Sequence, residues 1–221
     1  MWIKICGLTT AEAVAAALDA SVDAIGFVFA ESVRRVSPEL AARLAAPARG
    51  RIRCVAVTRH PLQQEIDDIL QGFSPDVLQT DAVDLPLLRL PAQLELLPVL
   101  RGVQDESTAL PGRLLFEGAT SGAGVPCDWT AARAVARRTE LVLAGGLNPG
   151  NIASAIADVA PFGVDVSTGV EARPGVKSPL EIAKFVTAVR GAKPALPAHR
   201  GESAAPSRCG VREQPAHEDP V

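Results

Sequence analysis

Short apolar runs alternate with amphipathic helical patterns along most of this chain, and the alternation repeats eight times. The pattern predicts strands near 2–6, 23–29, 52–57, 76–79, 94–99, 113–117, 140–144 and 162–167. Helices fit between them at 10–20, 37–47, 61–71, 83–89, 129–137, 149–158 and 179–190, with a vestigial piece near 104–109. Their starts carry capping signals. Thr9 and Glu12 have the spacing of a capping box, and Ser37-Pro38, Asn148-Pro149 and Ser178-Pro179 put a capping side chain before a proline. Eight strand-then-helix units in series mean a parallel sheet, and eight close most naturally into a (β/α)₈ barrel, a TIM barrel. An open doubly wound sheet would want a dinucleotide fingerprint after its first strand. The KICGLTT segment at 4–10 is not one. The barrel is compact, with all units inside residues 2–190. Its fifth unit is the tightest, because only twelve residues separate Leu100 from Arg113.

Composition agrees with this architecture. Hydrophobic residues make up 48% of the chain but aromatics only 4%, so the core must come from Ala, Val, Leu and Ile, as in buried parallel strands. A net charge of −3 without a basic stripe gives no case for a nucleic-acid partner. Apolar runs stop short of a membrane span and the N-terminus lacks signal-peptide character, so a cytoplasmic protein is expected. Cysteines 6, 54, 127 and 209 form no CxxC pair. Two of the three histidines, His199 and His217, fall in the last thirty residues. No metal site and no cofactor is expected from this set. Residues 192–221 hold five prolines and no aromatic, Ile or Met. They are read as a disordered extension, leaving 1–191 as the single barrel domain.

Active sites of such barrels form at the C-terminal strand ends. Strand 1 delivers Cys6 there, followed by Gly7 and a helix start. Alone, a cysteine at a strand end is ordinarily packing. Its company changes the reading: Arg34 and Arg35 after strand 2, Gln79 and Asp81 at strand 4, Glu117 ending strand 6, and Asp165 on strand 8. Gly145-Gly146 and Thr168-Gly169 follow the last two strands, where barrels commonly bind phosphate through backbone N–H groups.

Six stretches resemble the phosphoribosylanthranilate isomerase family. They are KICGLT (4–9), GFVFAESVRRVSP (26–38), LQTD (78–81), LLFEGATSGAGVPCDW (114–129), LAGGLNP (143–149) and GVDVSTGVEARPGVK (163–177). They run in order through nearly the whole barrel. The resemblance implies an Amadori rearrangement in tryptophan biosynthesis: the ribosylamine ring of N-(5-phosphoribosyl)anthranilate opens, a proton leaves C2 of the sugar, and the enol relaxes to its ketone. Such chemistry needs an acid at the furanose oxygen and a base at C2. By resemblance, Cys6 is the base as a thiolate and Arg34 holds the anthranilate carboxylate. Asp165 lies near the anthranilate amine or else orders the loop after strand 8, and the glycine turns hold phosphate. A small phosphorylated substrate is the only partner implied, with the chain a monomer or homodimer. The segment at 121–124 resembles the family's mobile loop, or is an ordinary turn.

A free thiol with a pKa of about 8.5 is little ionised at neutral pH, so the site is expected to lower it. Lys4, two residues away on the same strand face, either assists or makes an ion pair inside the barrel. Two positions depart from the family pattern. Its usual strand-6 Asp is Glu117 here, and its Gln-Leu-His-Gly after strand 4 reads Gln79-Thr80-Asp81-Ala82. Glu117 is the expected acid, with Asp81 as an alternative acid or a helix cap. Other functions fit less well. A metal-dependent epimerase needs more histidines than His60. A histidine-pathway isomerase wants an aspartate where Cys6 stands, and indole-glycerol-phosphate synthase wants a catalytic lysine plus further acids. A barrel that binds ligand without catalysis should have lost at least one of these groups.

Overall fold

The computed structural model describes residues 1–102, 109–118 and 127–193. Eight parallel strands close into one barrel in sequence order: β1 (Trp2–Cys6), β2 (Ala24–Val28), β3 (Arg53–Val57), β4 (Val77–Asp81), β5 (Glu95–Arg101), β6 (Arg113–Glu117), β7 (Glu140–Leu143) and β8 (Gly163–Val166). β8 pairs with β1 to complete the ring. Outside it pack α1 (Ala11–Asp19), α2 (Pro38–Ala45), α3 (Gln63–Gly72), α4 (Trp129–Ala136), α5 (Ile152–Val159) and α6 (Pro179–Gly191). After β8 the chain adds a small antiparallel hairpin, β9 (Glu171–Arg173) with β10 (Val176–Lys177), which the hydropathy pattern does not announce.

The expected (β/α)₈ barrel is therefore present, with local corrections. Residues 83–89 form only a short 3₁₀ turn at Leu85–Leu87. The piece expected near 104–109 lies outside the described residues apart from Ala109, and the tail from 194 onward lies outside them entirely. The first helix is capped by Thr10, whose Oγ1 accepts from Ala13 N at 3.2 Å, one residue later than expected. Thr9 is diverted, since its hydroxyl donates to the Gly175 carbonyl at 2.8 Å. Asn148 does not cap a helix. Its Oδ1 accepts from Gly150 N at 2.8 Å and Asn151 N at 3.2 Å, closing an Asx turn that delays α5 until Ile152.

Period-2 alternation sorts the strand side chains into two cores. Outward residues such as Ile3, Ile5, Ile25, Phe27, Leu114 and Phe116 meet the helices. Inward residues Ala24, Val55, Val77, Leu97, Val99, Leu115, Val142 and Ala144 fill the barrel. The inward set turns polar toward the C-terminal ends of β1, β4, β5, β6 and β8, and there the site forms. No described helix is long and apolar enough to cross a membrane.

Candidate active site

A cavity of about 340 Å³ opens at the C-terminal end of the barrel, within the range of small-molecule sites. Cys6, Arg34, Glu117, Gly145, Gly146, Asp165, Thr168 and Gly169 all line it. These eight candidates thus reach one space, though they come from five strand ends, while Asp81, the alternative acid, stays outside it. Gln79 joins them from β4. Its Oε1 is buried without a hydrogen-bond partner among the described residues, an acceptor available to a ligand donor. Asp81 and His60 do not line the cavity.

On the β1 side the site is deeply buried. Cys6 is 6% exposed and Lys4 is 0% exposed. Lys4 Nζ donates to Asp165 Oδ1 at 2.9 Å, across a register that pairs the two residues on neighbouring strands. Of the two readings open for Lys4, the internal ion pair is present. The charge of Lys4 also bears on the titration of Cys6. Room for both side chains comes from Gly26 on β2, where an added Cβ would stand 3.0 Å from Lys4 Cε and 3.1 Å from Cys6 Sγ. Burial works against the charge of Lys4, but Asp165 and Cys6 outweigh it and hold the ammonium above its ordinary pKa. The Cys6 thiol moves opposite to expectation. Burial raises its pKa, with Asp165 adding to the rise, and the charges of Lys4 and Lys177 only partly offset this. Desolvation thus outweighs two nearby cations in setting the direction of the thiol's shift.

On the β8 side, Arg34 is anchored by the protein's own groups. Its Nε and Nη2 donate to the two carboxylate oxygens of Glu171 at 2.7 and 3.0 Å, and Nη2 reaches Thr168 Oγ1 at 3.3 Å. Lys177, 4% exposed, donates to the same carboxylate at 2.7 Å and to Ser167 O at 2.9 Å. Burial would raise Glu171, but the bonds from Arg34 and Lys177 prevail and its pKa is lowered. Burial lowers Lys177 despite that partner. Glu171 and Lys177 sit within the resembling segment 163–177 without having been singled out there. Each is 137 or more residues from Arg34, so only the fold makes the cluster visible.

The two glycine turns are built together. Gly145 and Gly146 have φ of 92° and 63°, left-handed conformations that glycine adopts without strain. A Cβ at Gly169 would collide with the Leu147 carbonyl, so the β8 turn lies directly against the β7 turn. Asn151 Nδ2 donates to the Gly146 carbonyl at 2.9 Å and fixes that peptide's orientation.

On the β4–β6 side, the sequence reading missed Arg101. Its Nε donates to Asp81 Oδ1 and its Nη1 to Glu117 Oε2, both at 2.9 Å. A signal existed: Leu97, Val99 and Arg101 share one inward parity, as do Leu115 and Glu117. Asp81 is the last residue of β4, occupied by Arg101 rather than capping a helix.

A family model described as N-(5'phosphoribosyl)anthranilate (PRA) isomerase matches residues 3–188. The chain belongs to this family. The N-(5'-phosphoribosyl)anthranilate isomerase of Rhizobium etli (strain CIAT 652) is 39% identical over 210 residues, covering 86% of this chain and 94% of the relative. The solved TrpF of Jonesia denitrificans is 36% identical with a TM-score of 0.70, covering 86% of this chain and 97% of its own. A phosphoribosyl anthranilate isomerase solved with reduced 1-(o-carboxyphenylamino)-1-deoxyribulose 5-phosphate is 29% identical with a TM-score of 0.71, covering 86% of this chain and 99% of its own. As a phosphoribosylanthranilate isomerase, the chain is an enzyme of tryptophan biosynthesis converting N-(5-phosphoribosyl)anthranilate to 1-(2-carboxyphenylamino)-1-deoxyribulose 5-phosphate.

Proposed function

We propose that Cys6 is the general base and Glu117 the general acid of this isomerisation. The observation that carries the assignment is that both line one cavity, from the ends of β1 and β6, whereas the alternative acid Asp81 does not. Glu117 protonates the furanose ring oxygen as the ring opens. Cys6, once ionised, takes the C2 proton, and the resulting enol relaxes to the ketone. The acid and base thus act on different atoms of one sugar. Lys4 and Lys177 favour the thiolate against burial, so the step depends on their charges.

The phosphate is assigned to the joined turns at Gly145-Gly146 and Thr168-Gly169, where successive backbone N–H groups suit an anion. Arg34 is assigned to the anthranilate carboxylate, its guanidinium already oriented by Glu171. Asp165 is assigned first to Lys4 and through it to the Cys6 environment, with the anthranilate amine as a further partner. The catalytic unit is residues 1–191, since α6 ends at Gly191 and the family match ends at 188. A small phosphorylated substrate, a monomeric or homodimeric chain and a cytoplasmic setting complete the reading.

The test is turnover of phosphoribosylanthranilate, made in place from anthranilate and phosphoribosyl pyrophosphate by the preceding enzyme. Loss of substrate fluorescence should follow addition of this protein and vanish with Cys6→Ala. A folded Glu117→Gln variant that retains wild-type turnover would remove Glu117 from the role of acid.

A further inference from the structure

We propose that Arg101 is a positioning residue for Glu117, and that Asp81 is the second half of the same device. The inference rests on Glu117 as the general acid. The two departures from the family pattern, Glu117 for Asp and Asp81 for His, stand on different strands, yet they meet on one guanidinium. Arg101 is the register partner of Glu117 across β5–β6. Its fork divides, Nε to Asp81 and Nη1 to Glu117, each at 2.9 Å.

Glutamate carries one more rotatable bond than aspartate, so its carboxylate sweeps a larger volume at the same strand position. A reacting group displaced by about 1 Å can lose about 10²-fold in rate. The planar guanidinium fixes that extra freedom, because its donors have set directions. Arg101 lines the cavity beside Glu117 while Asp81 does not, so Asp81 works through Arg101. Asp81 is itself held from behind. His60 Nε2 lies 3.5 Å from its Oδ2, and His60 Nδ1 is 2.8 Å from Asp84 Oδ1. Asp84 in turn accepts from Thr80 Oγ1 at 3.0 Å. The result is a braced line from the loop after β3 to the tip of β6.

The second carboxylate also answers a chemical difficulty. An arginine paired with a lone acid would be left without a counter-charge whenever that acid carried a proton. With two carboxylates on one guanidinium, Glu117 can hold the proton for the ring oxygen while Asp81 still neutralises Arg101. Delivery of that proton to the substrate then restores the second ion pair.

The experiment compares Arg101→Met, Arg101→Lys, Asp81→Asn, Glu117→Gln and the double variant Arg101→Met/Glu117→Gln by steady-state kinetics, with thermal melts confirming folded protein. Arg101→Met should lower kcat about 10- to 100-fold with KM little changed, and Arg101→Lys should recover only part. Asp81→Asn should lower kcat in the same direction by less. The double variant should be no slower than Glu117→Gln alone, because a positioning residue has nothing left to position. A double variant slower by the full Arg101→Met factor would overturn the proposal, as would a raised KM with normal kcat, which would make Arg101 a substrate-binding cation. Normal kcat in Arg101→Met beside a slow Glu117→Gln sinks only the clamp. Normal kcat in Glu117→Gln sinks the acid assignment itself.

Discussion

Cys6 stands on the deep wall of the cavity, beside a buried Lys4–Asp165 pair, whereas Glu117 stands near the rim with its side chain 14% exposed and tied to Arg101. The deep wall governs by desolvation. Charges there are few, each must be paired, and the protonation state of the thiol follows from burial before any specific contact. The rim governs by geometry. Its ion pairs restrict where a carboxylate can be. A single barrel end therefore tunes one reactive group by solvent exclusion and orients the other by a guanidinium.

The sharpest way to break this comparison is at the reacting groups. Cys6→Ala and Glu117→Gln should each lower kcat by at least ~10²-fold with ligand affinity nearly unchanged, read by fluorescence assay and by titration with the reduced product analogue. Next is the deep pair. Lys4→Met leaves Asp165 buried without its partner, and unfolding by denaturant should show a loss of about 3–5 kcal/mol. Arg101→Met at the rim should cost less, since Arg101 and Glu117 keep side-chain exposures of 21% and 14% where Lys4 has none. Equal losses would erase the contrast.

The pH profile sharpens it further. A thiol kept neutral by burial ionises later as pH rises, so the rising limb of kcat/KM should lie above the ordinary thiol value of 9.0. Lys177→Met removes a charge that favours the thiolate and should move that limb still higher. Arg34→Ala should raise KM about 10-fold with a smaller effect on kcat, since one charge-assisted contact is lost. Smallest of all, a chain ending at 191 should keep wild-type kcat and melting temperature.

The strand repeat and eight of the lining residues were readable because inward parity and strand-end position are local properties of the chain. The start of α1 was off by one residue because Thr9 and Thr10 are equal candidates until Gly175 claims the first hydroxyl. The Asn148 signal was real but closed a turn rather than a helix, a choice made by its contacts at Gly150 and Asn151. The strands at β4 and β5 run two residues further than expected, to Asp81 and Arg101, because their charged ends look like loop until pairing partners are known.

By itself the sequence determined a closed eight-stranded barrel, its polar end, and which side chains reach that end, since hydrophobic period and residue type are written locally. The orientation of those groups, and the direction in which the thiol's titration moves, follow only from the assembled ring. The Cys6 thiol went up rather than down because desolvation depends on everything packed around it. Arg34 met Glu171, Lys4 met Asp165 and Arg101 met Glu117 because strand register and loop apposition, which bring together residues 16 to 161 positions apart, exist only once the ring has closed.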